Sequence, residues 1–335
     1  MSEIIVEVGN THEGSLGIAT SLIDMAVNAG IKTVKFQMHI PEAEGIPDEP
    51  FRVKFSHQDE NRQDYWRRVN FSLDHWKFLS SYCQNLGVEF LCTPFSVEAA
   101  KVLYQNNMVK RWKVGSGNTV DWPLIDFLTQ TNLPLIISTG LVSWDEILTL
   151  QKRLVAANAW SRTTLLHCVS KYPVKLEEID LHLMEKLSEL GCKVGYSDHS
   201  GNMQVSMYAI SKGAEIIEIH MTPHRNFFGP DVSSSLLPEE ISQLVSYSNL
   251  NRLLSNSNRS KDTHFQEVSG LRKMFRKGVY WAEDIKEGEV ISVKHLKFLK
   301  PVDEIDVVDY EILIGRKVSQ DCKVNAPVKW NEIPK

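Results

Sequence analysis

The chain has 335 residues, of which 42% are apolar and 24% charged, with 18 Gly and 13 Pro. This composition belongs to a globular protein and excludes disordered, collagen-like and coiled-coil chains. The net charge of -5 offers no basic field for nucleic acid or an anionic membrane, so an anionic ligand needs a local cluster of lysines.

Met1-Ser2-Glu3 leads directly into Ile4-Ile5-Val6 without a basic leader segment. No apolar run approaches the ~20 residues of a bilayer span. Cys83, Cys92, Cys168, Cys192 and Cys322 are scattered and form no Cys-x-x-Cys pair, which argues against a disulfide framework or zinc knuckle. A cytoplasmic protein is expected.

Short strand-like runs follow in order: Ile4–Val8, Thr33–Met38, Val88–Cys92, Arg111–Val114, Leu135–Ser138, Thr164–Val169, Lys193–Ser197 and Ala214–His220. Several are apolar on both faces, as parallel strands covered by helices are. Between them, Gly17–Ala29, Leu73–Leu86, Ser143–Ala157 and Glu177–Leu190 carry the helical period, with Ser72 and Ser143 as N-caps. Leu237–Leu254 reads as the last helix of the series. Eight such alternations predict an α/β fold of the (β/α)8 TIM-barrel type over residues 1–250, with an open doubly wound sheet as runner-up. Residues 251–272 read as a polar linker. Residues 273–335, punctuated by Asp284-Ile285-Lys286-Glu287-Gly288-Glu289, read as a small, mostly β unit with little core of its own.

In a (β/α)8 barrel the chemistry gathers at the C-terminal strand ends, and polar side chains recur there. They include Glu7 on the first run, Lys35 and Gln37 on the second, Thr93 after the third and Lys113 and Ser116 at the fourth. Ser138, then Tyr172, then Ser197 with His199, and finally Glu218 with His220 continue the series. Two lysines with hydroxyls and close-approaching backbone N–H groups suit a phosphate plus a carboxylate. Two histidines at neighbouring strand ends could share one divalent metal ion.

Glu7-Val8-Gly9-x-x-His12-Glu13-Gly14-Ser15, Val34-Lys35-x-Gln37, Thr93-Pro94-Phe95, Lys113-Val114-Gly115-Ser116-Gly117, Ser138-Thr139-Gly140, Tyr172-Pro173, Gly195-x-Ser197-Asp198-His199, Glu218-x-His220 and Gly229-Pro230-Asp231 follow one another along the chain. In this order the set resembles the sialic acid synthase family, the N-acetylneuraminate, legionaminate and pseudaminate synthases. The resemblance implies a TIM barrel followed by a small antifreeze-like SAF domain that caps the partner subunit in a domain-swapped homodimer. It implies a transferase that condenses phosphoenolpyruvate (PEP) with an open-chain amino sugar, such as N-acetylmannosamine or a related 6-deoxy diacetamido sugar. It further implies release of phosphate by C–O cleavage, in surface polysaccharide biosynthesis.

By the same resemblance, His199 and His220 bind a divalent cation, usually Mn2+, with Mg2+ or Co2+ as alternatives. Lys35, Thr93, Lys113, Ser116, Ser138 and Ser197 hold PEP, and Glu7 is the acid/base or hydroxyl-orienting group. Gln37, Tyr172, Glu218 and Asp231 contact the sugar or the metal's waters. Lys300, in Leu299-Lys300-Pro301-Val302, stands where the family places an arginine that binds the N-acetyl group, and Asn118 replaces a glutamate. These departures fall on acceptor recognition and imply an unusual acceptor sugar. Two other readings are a Schiff-base aldolase using Lys35 or Lys113, and a non-catalytic sugar-binding protein.

Overall fold

Strand periodicity builds the first part of the molecule. The strands are β1 (Glu3–Gly9), β2 (Thr33–Met38), β3 (Glu89–Pro94), β4 (Trp112–Val114), β5 (Leu135–Ser138), β6 (Thr163–Cys168), β7 (Lys193–Asp198) and β8 (Ile216–Met221). They pair in parallel in the order β3-β2-β1-β8-β7-β6-β5-β4, and β3 and β4 lie side by side at the remaining seam. β1 pairing with both β2 and β8 gives the wound-round order of a barrel, so the open-sheet alternative falls away. A two-residue strand, β9 (Ser235–Leu236), extends the edge of β8.

The helices are α1 (Leu16–Asn28), α2 (Pro41–Glu44), α3 (Arg62–Val69), α4 (Leu73–Asn85), α5 (Val97–Gln105), α6 (Trp122–Gln130), α7 (Trp144–Ala156), α8 (His182–Ser188), α9 (Met203–Ser211) and α10 (Pro238–Ser255). Outward strand residues such as Val6, Phe36 and Ile137 pack with Leu22, Leu79 and Leu150 in one apolar layer. Ile5, Leu91, Ile136, Leu166 and Ile216 form a separate plug inside the barrel. At the N-terminal strand ends Arg111 closes the barrel, donating to Glu3 Oε2 at 2.7 Å and Glu89 Oε1 at 2.9 Å.

This computed structural model describes residues 2–51, 54–256 and 259–334. Backbone contacts divide the chain into two units, 1–256 and 257–335. The stretch expected as a polar linker is largely helical: α10 runs on to Ser255, followed by α11 (Lys261–Glu267) and α12 (Ser269–Phe275). Ser260 caps α11 by accepting from the Thr263 N–H at 3.1 Å. Polar composition alone does not separate an exposed helix from a coil. The helix expected from Glu177 begins only at His182, because Asp180 adopts φ 50°, which no α-helix accommodates.

The second unit pairs β10 (Gly278–Trp281) with β11 (Leu296–Leu299) antiparallel. Val279, Trp281, Ile291, Leu313, Val318 and Val328 centre its core, and Trp281 donates to Glu332 Oε2 at 3.3 Å. Among the described residues, no helix is long and apolar enough to cross a membrane.

Candidate active site

The apolar plug and the polar residues belong to the same strand faces. Side chains alternate along a strand, so the residue two beyond an inward Ile or Leu also points inward, nearer the C-terminal end. Ile5 is followed by Glu7, Leu91 by Thr93, Ile136 by Ser138, Leu166 by Cys168, and Ile216 by Glu218 and then His220. One register of alternation thus fills the barrel with hydrocarbon below and polar groups above. Gly195, two before Ser197, is required by this packing: a Cβ there would lie 2.3 Å from the Ile216 carbonyl oxygen.

Four buried charges occupy the floor of the polar layer: Glu7, Lys35, Lys113 and Glu218. Lys35 contacts Glu7 directly and lies 3.6 Å from Glu218 Oε2, while donating to Thr93 Oγ1 at 3.2 Å. Lys113 donates to Ser138 Oγ at 2.8 Å and lies 3.7 Å from Glu218 Oε1, which also accepts from Ser197 Oγ at 3.0 Å. Burial pushes the Lys35 ammonium down to about 8, Glu218 opposes this, and the charge of Lys113 adds to it. The nearby Glu7 carboxylate further favours the charged form. Burial alone would raise Glu218, but Lys113, Lys35 and Ser197 together outweigh it and hold the carboxyl well below its ordinary range. Apart from the Lys35 contact, the Glu7 carboxylate has no hydrogen-bond partner among the described residues.

His199 and His220 stand at the rim of this layer, ring centroids 5.4 Å apart, with the Tyr172 ring 4.1 Å from His199. Burial lowers His199 to about 3, and the neighbouring His220 acts in the same direction. The ring is therefore neutral, and its Nδ1–H donates to the Val169 carbonyl at 3.1 Å. With Nδ1 so engaged, Nε2 is the ring nitrogen that could ligate a metal ion, as in histidines oriented by a backbone carbonyl. His220 Nδ1 lies 3.9 Å from Asp231 Oδ2. Two imidazoles with one carboxylate nearby suit a divalent cation with open positions. Among the described residues, no group of three or more His, Cys, Asp or Glu is placed to hold a metal ion.

Two cavities, of about 390 and 430 Å³, open onto this constellation and share Gln37, Phe95, Arg62, Leu141, Tyr172 and His220 in their walls. The inner one holds Glu7, Lys35, Thr93, Lys113, Ser116, Ser138, Ser197, His199 and Glu218; the outer one holds Asp231. Of the residues expected from the sequence, only Lys300 lies in the second unit, its ammonium 5.7 Å over the Phe275 ring. The inner cavity carries the charge and donors for a small dianion, and the outer one is largely aromatic.

That aromatic wall escaped the sequence reading. Phe51, Phe55, Arg62, Tyr65 and Trp66 line the outer cavity from the segment between β2 and α4, where no element was assigned. Helix α3 is capped by Asn61, whose side chain accepts from the Asp64 N–H at 2.9 Å. Tyr65 and Arg68 hold it to the β1 loop by donating to Glu13 at 2.8 and 3.0 Å. The available signal was the density of aromatic and arginine residues over 51–68, with an Asn-x-x-Asp cap before α3.

The sequence matches the NeuB family over residues 22–258. This chain belongs to the NeuB family. Among curated NeuB-like proteins, it is 29% identical over 325 residues to the N,N'-diacetyllegionaminic acid synthase of Campylobacter jejuni, covering 96% of each chain. It is 30% identical over 247 residues to the human N-acetylneuraminate-9-phosphate synthase, covering 72% of this chain and 68% of that one. A solved N-acetylneuraminic acid synthetase from Leptospira borgpetersenii, in complex with citrate, superposes with a TM-score of 0.70 at 28% identity. That alignment covers 81% of this chain and 91% of the other.

Proposed function

We propose that this NeuB-family protein is a transferase that condenses PEP with the open-chain aldehyde of an amino sugar to form a nine-carbon keto acid. The observation that carries the reading is the pair of buried ammoniums, Lys35 and Lys113, in an inner cavity that shares its outer wall with a second, larger one. The inner cavity takes PEP and the outer one the sugar. The synthase activities named for the relatives support a condensing enzyme of this kind.

In this reading Lys35 and Lys113, with Thr93, Ser116, Ser138 and Ser197, bind the phosphate and carboxylate. The PEP methylene carbon bonds to the aldehyde carbon as the C=O π pair moves onto oxygen, which takes a proton. Positive charge develops at C2 of PEP, against the fixed negative charges of Glu7 and Glu218. Water adds at C2 and loses its proton to a base, for which Glu7, with its carboxylate otherwise unbonded, is placed. The resulting hemiketal phosphate collapses by C–O cleavage, releasing inorganic phosphate and leaving the keto acid.

His199 and His220 fit a divalent cation, Mn2+ in the first instance, which when bound supplies Lewis-acid polarisation of the aldehyde and orients water. Gln37, Tyr172 and Asp231 orient the sugar, and Glu218 lies between the two lysines as a shared counter-ion. The second unit is read as the SAF domain, and the assembly as a domain-swapped cytoplasmic homodimer in which Lys300 reaches the partner's acceptor. The small core of that unit, centred on Trp281, supports a role that depends on a neighbouring surface.

The test is phosphate release from PEP with Mn2+ and an aldose in 18O-water. Condensation by C–O cleavage places the label in the keto acid and none in phosphate. Label in phosphate, or release independent of the sugar, defeats the reading.

A further inference from the structure

Side chains alternate along a strand, so Lys35, Gln37 and, one residue beyond β2, His39 follow one another up the inward face. Lys35 lines the inner cavity, Gln37 lines both, and His39 lines the outer one. No step of the condensation uses His39, yet its buried ring is held on both faces and at both nitrogens. The rings of Phe95 and Trp66 stack on it from opposite chain segments, 4.3 Å away at 18° and 4.4 Å away at 11°. His39 Nδ1 lies 2.7 Å from Glu44 Oε2, and Nε2 lies 3.2 Å from Gln37 Oε1.

Glu44 is itself fixed. It ends the short helix α2 and folds back on it, Oε1 accepting from the Ile40 N–H at 2.6 Å. The Gln63 amide of α3 donates to the Pro41 and Gly45 carbonyls at 3.1 and 2.7 Å, which braces the same turn. A carboxylate only accepts, so Nδ1–H donates to Glu44, and Nε2 is left to hold the Gln37 amide by its oxygen. An amide held by its oxygen turns its two N–H donors the other way. Here they face the open side of Gly9, where a Cβ would stand 3.6 Å from Gln37 Nε2 and 3.4 Å from Glu7 Oε1. Without His39 the amide is free to turn over and present its oxygen to the same space, exchanging a donor for an acceptor.

Resting on the synthase reading above, we infer that His39 and Glu44 are positioning residues for the condensation. They act through Gln37, whose N–H donors they hold beside Glu7 at the junction of the two cavities, to receive an oxygen atom of the acceptor. Small misplacements of a group near the reacting atoms cost rate out of proportion to the single hydrogen bond involved.

The experiment uses the full-length protein with PEP, Mn2+ and an acceptor, the better of N-acetylmannosamine and 2,4-diacetamido-2,4,6-trideoxymannose, with phosphate release as the readout. His39→Phe keeps a ring between Phe95 and Trp66 and removes both nitrogens. It should lower kcat/KM for the acceptor about tenfold and leave the KM for PEP within about twofold. Glu44→Ala, which releases the ring from outside both cavities, should act in the same direction. The same His39→Phe change is then made in the Gln37→Ala background. Residues that act as a unit are not additive, so the second substitution should cost less than about twofold there. A role in packing alone would carry its full loss into that background. Additive losses, an unimpaired His39→Phe, or a defect that falls on the KM for PEP overturns the inference and leaves the synthase reading intact. Absence of phosphate release by the parent protein with both acceptors removes the synthase reading itself, and this inference with it.

Discussion

Ser197 and Glu218 are register partners on β7 and β8, and the Ser197 hydroxyl donates to Glu218 Oε1 at 3.0 Å. The bond aims a fully buried carboxylate between Lys35 and Lys113, which lie 3.6 and 3.7 Å from its two oxygens. Glu218 is thus the counter-ion common to both ammoniums, while Glu7 pairs with Lys35 alone.

Glu218→Gln removes that counter-ion while keeping the shape. The ligand-free protein should lose about 3 kcal/mol, the scale for breaking a buried ion pair. Because a bound dianion would then serve the lysines instead, PEP should raise the melting temperature of the variant more than that of the parent. Equal shifts by thermal unfolding would show that Glu218 does not balance the two lysines against a bound anion.

Lys35 is engaged by Glu7, Glu218 and Thr93, and Lys113 by Ser138 and Glu218. Neither ammonium is placed as a free amine for a carbonyl carbon. Borohydride treatment with pyruvate should therefore give no lysine adduct by mass spectrometry. A trapped adduct on either residue would favour the aldolase alternative.

His12 is buried against Phe71, ring centroids 4.5 Å apart, and its Nδ1 accepts from the Gly14 N–H at 3.1 Å. Burial lowers it to about 3, and the nearby His39 adds to the effect. An unfolded histidine titrates near ~6.5, so between these values the unfolded chain binds the extra proton. The stability this residue contributes is complete above that pH and falls as pH drops toward 3. At pH 5 the loss is about 2 kcal/mol. Urea unfolding at pH 7 and pH 5 should show a smaller difference for His12→Phe than for the parent; an unchanged difference would rule this out.

Gly195→Ala would force a Cβ to within 2.3 Å of the Ile216 carbonyl oxygen and 2.7 Å of Leu166 Cδ2. Backbone on β8 and the plug inside the barrel must both shift. A loss of about 2–3 kcal/mol in urea unfolding is expected, with lower activity because Ser197 and Glu218 move as well. A variant as stable as the parent would mean that the barrel interior has more room than its packing shows.

The strand runs, the caps at Ser72 and Ser143, and the polar groups beyond the apolar plug were legible in the chain, because they rest on local rules. A period of two sets which strand residues face inward, and a serine oxygen satisfies a helix end whatever lies beyond it. The ordering of Glu7, Lys35, Lys113 and Glu218 at strand ends was equally visible. Tertiary structure decided that Glu218 serves two lysines at once and that the rings of Trp66, His39 and Phe95 stack. It also placed Arg62 on the boundary of two cavities. Those relationships join segments far apart in the chain, and no residue in them carries a mark of its partner. Charge pairing and ring stacking depend on separations of a few ångströms, which closure of the barrel alone brings about.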